Sequence, residues 1–159
     1  MESSLQLVLF TLDDRRIALK LFSVERVIRA VVIAPLPGAP SIVLGVINVE
    51  GTVVPVVDMR SRFGLSARPP DIDDQYILVR TSTRILAVVA DEVKGAIEAD
   101  MENVVKGDTV LPGLDYVEGI LKLKGKIALI HDLDRFLSLE EEKALDSALV
   151  HGGHLGDEK

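Results

Sequence analysis

Gly45-Val46-Ile47-Asn48-Val49-Glu50-Gly51-Thr52-Val53-Val54-Pro55-Val56-Val57-Asp58-Met59-Arg60 is the stretch on which the reading of the fold turns. Residues 42–49 are nearly all apolar and β-branched, the pattern of a strand buried on both faces. Gly45 within it lets another piece of backbone approach closely, and Gly51 permits a tight turn. The chain then returns through residues 52–57 as a second strand. Pro55 has no N–H for a ladder, which predicts an edge or a bulge at that position. Asn48 reads as a buried polar side chain that must find partners and can lock the turn. Asp58 caps a short helix through Phe63, which Gly64 stops.

Working outward, the same short-strand rhythm continues on both sides. Toward the N-terminus, residues 5–10 and 15–19 read as a hairpin around Asp13-Asp14. Residues 23–28 read as a short helix or turn with Ser23 as its cap, and residues 31–33 as a short strand. Three prolines and a glycine in residues 35–40 then enforce a stiff loop. Toward the C-terminus, residues 66–74 hold Pro69-Pro70 and three aspartates and form the best linker candidate. Strands are expected at 76–79, 85–89 and 93–97, the last with a bulge at Gly95. Residues 101–109 look irregular, and Pro112-Gly113 is a turn. A hairpin over residues 116–130 turns at Lys124-Gly125. Ser138 and Glu141 match the capping box S-x-x-E, in which each side chain satisfies an orphan backbone N–H. One bent helix or two short ones are therefore expected over 132–150, then a frayed tail over 151–159. Two small closed barrels are a natural solution to so many short strands, because closure removes exposed edges.

Composition narrows the function. The chain has 159 residues, 48% hydrophobic but only 4% aromatic and without Trp, so its core is aliphatic. No Cys is present, which excludes disulfides, thiolate metal sites and a Cys nucleophile. The formal charge of −7 opposes nucleic-acid binding, which needs cations against phosphates. No apolar run approaches the ~18 residues of a membrane helix, and the first residues lack a basic leader. Of the three histidines, His151 and His154 fall in the tail, and His131 beside Asp132 points away from it if both lie on a strand. Asp13/Asp14 and Asp73/Asp74 fall in turns, where solvated aspartates are common. No nucleophile elbow or phosphate-binding glycine loop is present. These observations predict a protein that is not an enzyme and carries no cofactor or metal.

The stretch 45–60 resembles the G-x-x-N-L-R-G-x-x-x-P-V-x-D-L-R pattern of CheW-like domains. Flanking segments agree in order: Val24-Glu25-Arg26-Val27-Ile28 is similar to the family's V-x-E-V, residues 35–37 to its proline loop, and Ala90-Asp91-Glu92-Val93 to its V-D-x-V. The likeness covers roughly residues 5–139. It implies a mainly β fold of two SH3-like five-stranded β-barrel lobes with a C-terminal helix. A single domain would then span 1–139, with an N-terminal strand at 5–12, lobe 1 at 14–66 and lobe 2 at 75–131. The implied function is a non-enzymatic cytoplasmic adaptor, recruited to membrane receptor arrays without inserting in the membrane. It would couple the cytoplasmic tip of chemoreceptors to the regulatory domain of a CheA-type histidine kinase. Val24, Arg26, Val27, Ile47, Asn48 and Glu50 are the expected receptor-binding residues. Gly45, Gly51, Pro55 and Asp58 are expected to hold the motif's shape. The sequence departs from the pattern at two places: Glu50 stands where the family has Arg, and Arg26 where it has Glu. A charge-swapped ion pair between them is the expectation. The rival readings are a CheW-like decoy or alternative-pathway adaptor without the kinase link, and an unrelated small β-barrel that binds a ligand.

Overall fold

A computed structural model describes residues 4–106, 117–135 and 137–157, with side chains described to residue 151. In chain order the strands are β1 (Ser4–Leu12), β2 (Arg15–Lys20), β3 (Val24–Arg29), β4 (Val43–Val49), β5 (Thr52–Val57), β6 (Gln75–Arg80), β7 (Ile85–Ala90), β8 (Glu92–Asp100), β9 (Val104–Lys106), β10 (Val117–Leu123) and β11 (Lys126–His131). One α-helix follows, α1 (Leu139–Asp157). The strands form a six-stranded sheet, β8-β1-β2-β11-β10-β9, and a five-stranded sheet, β3-β6-β7-β5-β4.

Both sheets are open, which corrects the expectation of two closed five-stranded barrels. In the five-stranded sheet the edges are β3 and β4. Between them, among the described residues, the chain makes one isolated bridge, Ala34 with Val46, its two backbone hydrogen bonds each 2.8 Å. The proline loop cannot extend this bridge into a ladder, since it lacks donors and is fixed in φ. The expected strand at 31–33 is therefore reduced to a cover over the β4 edge. The sheets also cross the expected lobe limits. β1 and β2 pair with the late strands β8 and β11, while the five-stranded sheet runs from Val24 to Ala90 straight through the linker near residue 70.

Three clusters of buried side chains explain why so many strands are apolar without alternation. One cluster is shared: Phe10, Leu12, Ile17 and Leu129 from the six-stranded sheet meet Val57, Ile77, Val79 and Val88 from the other, together with Leu145 of α1. Each sheet also curls over a private cluster, Leu7, Ala18 and Leu121 in one, Ile47, Tyr76 and Leu78 in the other. Successive residues of β6 therefore go to different cores, Tyr76 and Leu78 to one, Ile77 and Val79 to the other. A strand buried on both faces reads as a continuous apolar run. Burying each such Leu or Ile contributes about 1.5–3 kcal/mol.

Residues 23–28, expected as a short helix or turn, instead lead into the strand β3, preceded by a 3-10 turn at Leu21–Ser23. A register shift between Val24 and Arg26, opposite β6, breaks its two-residue period and gives its apolar residues a helix-like spacing. The bulge expected at Gly95 is present, where β8 slips against Leu9 and Phe10 of β1. Residues 101–106 form a 3-10 turn and β9, while Pro112-Gly113 and Phe136 lie outside the described residues.

The capping box closes the start of α1. Ser138 N–H donates to Glu141 Oε1 at 2.9 Å, and Glu141 N–H to Ser138 Oγ at 3.1 Å. α1 packs on the body through the buried Leu145 and Ala148. Arg62 pairs with Glu141 at 2.6 Å, and Arg84 with Glu142 and Asp146. The helix continues to Asp157, through Gly152-Gly153, rather than fraying at 151.

Candidate functional site

The β4–β5 turn carries the motif's most exposed residues. Glu50 and Gly51 both have positive φ, 50° and 90°, the two-residue hairpin turn that matches strand twist. Gly51 N–H donates to Asn48 Oδ1 at 2.8 Å, so Asn48 locks the turn, although its side chain is exposed rather than buried. Gly45 is required by close approach: a Cβ there would lie 2.2 Å from the Ala34 carbonyl oxygen. Pro55 sits in an interior strand, not at an edge. Counting alternate pairs from Val49–Thr52, Val46 and Pro55 face each other without exchanging hydrogen bonds. Pro55 thus points its missing donor toward β7, whose ladder with β5 begins only at Val56. Asp58 Oδ1 accepts from Arg60 N–H at 3.0 Å and starts a 3-10 turn at Arg60–Phe63, which Gly64 ends at φ 71°.

Arg26 Nη2 lies 2.6 Å from Glu50 Oε1, with 48% and 80% of the two side chains exposed. The pair spans the gap between β3 and β4, the two edges of the open sheet. Beside it, Arg80 of β6 pairs at 2.7 Å with Glu25, the neighbour of Arg26 on β3. Beneath them Val49, Val54, Leu78 and Ile85 line a recess of about 240 Å³. Val27 is partly exposed, and Val53, which the sequence reading did not single out, is 58% exposed on the opposite hairpin strand. Val24 packs partly against the shared core. Ile47 is only 2% exposed, inside the private cluster of its sheet. The structure therefore brings Arg26, Val27, Asn48 and Glu50 to the surface and withdraws Ile47 from it.

A second recess, of about 300 Å³, lies where the sheets meet. Lys20, Glu118 and Asp134 line it on one side and Arg80, Thr81 and Ser82 on the other, with Phe22 85% exposed beside it. Lys20 and Glu118 pair at 2.5 Å, and Ser82 N–H donates to Asp134 Oδ1 at 2.8 Å. His131 is also part of this wall but is almost fully buried. Burial, and then the nearby Arg62 charge, lower its pKa to about 3, so the ring is neutral at physiological pH. Its ring centroid lies 6.0 Å from that of Phe63.

The sequence reading missed a charged network behind the motif. Arg60, 3% exposed, donates to Asp13 at 2.9 Å and to both oxygens of Asp91 at 2.7 and 2.9 Å. Arg68 bridges Asp91 at 2.5 Å and Asp74 at 2.6 Å. Asp74 is itself buried, which corrects the expectation of a solvated turn aspartate there, while Asp13 stays exposed in its turn. Burial alone would raise the Asp91 pKa. The Asp13 backbone N–H and the two guanidiniums outweigh it and hold the carboxylate below its ordinary value. The network ties the β1–β2 turn, the end of the motif, the linker and the β7–β8 crossover together. Among the described residues no group of three metal-ligating side chains gathers, and no helix is long and apolar enough to cross a membrane.

The comparisons with known proteins agree with one another. The family model for the CheW-like domain matches residues 6–141. The chemotaxis protein CheW of Rhizobium meliloti is 25% identical over 141 residues, covering 87% of this chain and 91% of its own length. That of Thermotoga maritima is 27% identical over 133 residues, covering 80% and 84%. The crystal structure of the scaffolding protein TtCheW from Thermoanaerobacter tengcongensis superposes with a TM-score of 0.78 at 28% identity, covering 86% of this chain and 94% of that one.

Proposed function

The chain belongs to the CheW-like domain family, and on that premise we propose that it is a non-enzymatic scaffold that couples chemoreceptors to a CheA-type histidine kinase. The observation that carries this reading is the match over residues 6–141, which takes in both sheets and the start of α1. The protein works in the cytoplasm, at receptor arrays. Holding receptor and kinase together raises their effective concentration for each other.

The receptor tip docks along the surface that runs from the recess between the sheets, past Phe22 and Val24, to the edge at Arg26, Val27, Asn48 and Glu50. Exposed apolar side chains there, Phe22 and Val53, supply the kind of anchors that dominate interface energies. The kinase's regulatory domain meets a separate face.

The Arg26–Glu50 pair sets partner choice rather than stability. An exposed pair contributes only about 0–1 kcal/mol to folding. Its order is reversed relative to the family pattern, so a partner surface matched to the usual order meets two like charges here. Such mismatches suppress wrong partners. This reversal favours a receptor of the protein's own, or a separate pathway, over exchange with other CheW-like adaptors. The test is binding of a receptor signalling tip by the wild type, by Glu50→Arg, and by Glu50→Arg with Arg26→Glu. Loss with the single change and recovery with the double supports the reading. Equal binding by all three removes the pair from the interface.

A further inference from the structure

Most cations near the two recesses are neutralised within the chain: Lys20 by Glu118, Arg26 by Glu50, Arg80 by Glu25 and Arg84 by Glu142. The opposite end of the six-stranded sheet is different. Arg15, Arg16, Lys122, Lys124 and Lys126 make no ion pair among the described residues. All five lie on β2 or on the β10–β11 hairpin.

Register brings two of them to one face, on either side of an apolar residue. Lys122 stands opposite Ile127 in the β10–β11 ladder, so their side chains share a face. The parallel pairing of Leu129 with Ile17, carried back two residues, brings Arg15 beside Ile127 on that same face. Ile127 is 56% exposed there. The face therefore presents an apolar side chain flanked by cations, on a chain whose net charge is −7. Generic solvation does not call for this arrangement. An acidic protein avoids self-association by staying acidic, and a basic spot with an apolar centre invites contact instead. Lys20 and Arg15 mark opposite ends of β2, so this face lies about 17 Å from the recess between the sheets at ~3.4 Å per residue.

We propose that the face formed by Arg15, Lys122 and Ile127 is a docking surface for an acidic protein segment that bears an apolar side chain. The apolar residue packs on Ile127 while its flanking carboxylates meet the cations. Charge complementarity and the exposed Ile127 carry this assignment. It goes beyond the coupling role and does not depend on which residues bind the receptor.

The probe is the capped peptide Glu-Glu-Leu-Glu-Glu, titrated into the full isotope-labelled chain and followed by amide chemical shifts. Saturable shifts should centre on Arg15, Lys122 and Ile127. They should weaken about tenfold or more on Lys122→Glu with Arg15→Glu, and fade as salt rises. The Gln-Gln-Leu-Gln-Gln peptide should leave these amides unmoved, and replacing the peptide Leu by Gly should weaken the response. Because the substituted side chains are exposed, the variant's unchanged spectrum elsewhere shows that it folds. Absence of shifts, equal shifts with the Gln peptide, or binding of phosphatidylglycerol vesicles in preference to the peptide overturns the proposal.

Discussion

Acidification should destabilise this protein well above the range in which carboxylates titrate, and His131 is the reason. The buried ring stays neutral until about pH 3 in the folded chain. In the unfolded chain it takes up a proton at about pH 6.5. The contribution of the neutral ring is thus fully present above pH ~6.5 and is lost as pH falls toward the folded pKa, at up to about 1.4 kcal/mol per pH unit. Between about pH 7.5 and pH 5 the loss comes to roughly 2 kcal/mol. The Asp91 carboxylate does not add to this window. Its depressed pKa contributes stability that is intact above its ordinary value and is lost only below it. Urea unfolding at several pH values would read the effect as a midpoint drop of about 1 M, given slopes of about 1–3 kcal/mol/M. His131→Leu should remove most of the slope whatever it does to the stability at neutral pH. A wild type whose midpoint is flat over this window, or a variant that keeps the full slope, would refute the reasoning.

Other substitutions probe the frame around the site. Asp91→Asn leaves Arg60 and Arg68 short of their shared countercharge and should cost about 3 kcal/mol by chemical denaturation. Gly45→Ala forces a Cβ against the Ala34 carbonyl, and a thermal melt should register a loss of roughly 2 kcal/mol or more. Ser138→Ala removes half of the capping box and should cost about 1 kcal/mol, seen as a lower melting temperature with the helix otherwise retained by circular dichroism.

Much of the fold could be read from local signals. The turn at Glu50-Gly51, the lock from Asn48 and the reciprocal cap of Ser138 and Glu141 are each set by neighbouring residues, so sequence spacing reveals them. Closure was read wrongly because it depends on whether two distant edges meet. A proline loop that permits only the Ala34–Val46 bridge keeps β3 and β4 apart. β3 itself was misread because a bulge mimics helical spacing. Ile47 was placed on the surface because a strand buried on both faces gives no alternation to tell inside from outside. The charged network was invisible for a related reason. Asp13, Asp74 and Asp91 each have the local look of a turn residue, and only the tertiary fold brings the buried Arg60 and Arg68 to them. The Arg26–Glu50 pair was legible only because the resemblance supplied a pattern in which both charges are reversed.

The most direct test of the account is titration calorimetry of the full chain with two partners from its own organism, a receptor signalling tip and the regulatory domain of its CheA-type kinase. The account predicts binding to both, on separate faces, so that each still binds when the other is saturating. Glu50→Arg should weaken the receptor alone, and adding Arg26→Glu should restore it. A folded chain that binds neither, or a receptor and kinase that displace each other, would contradict the coupling role.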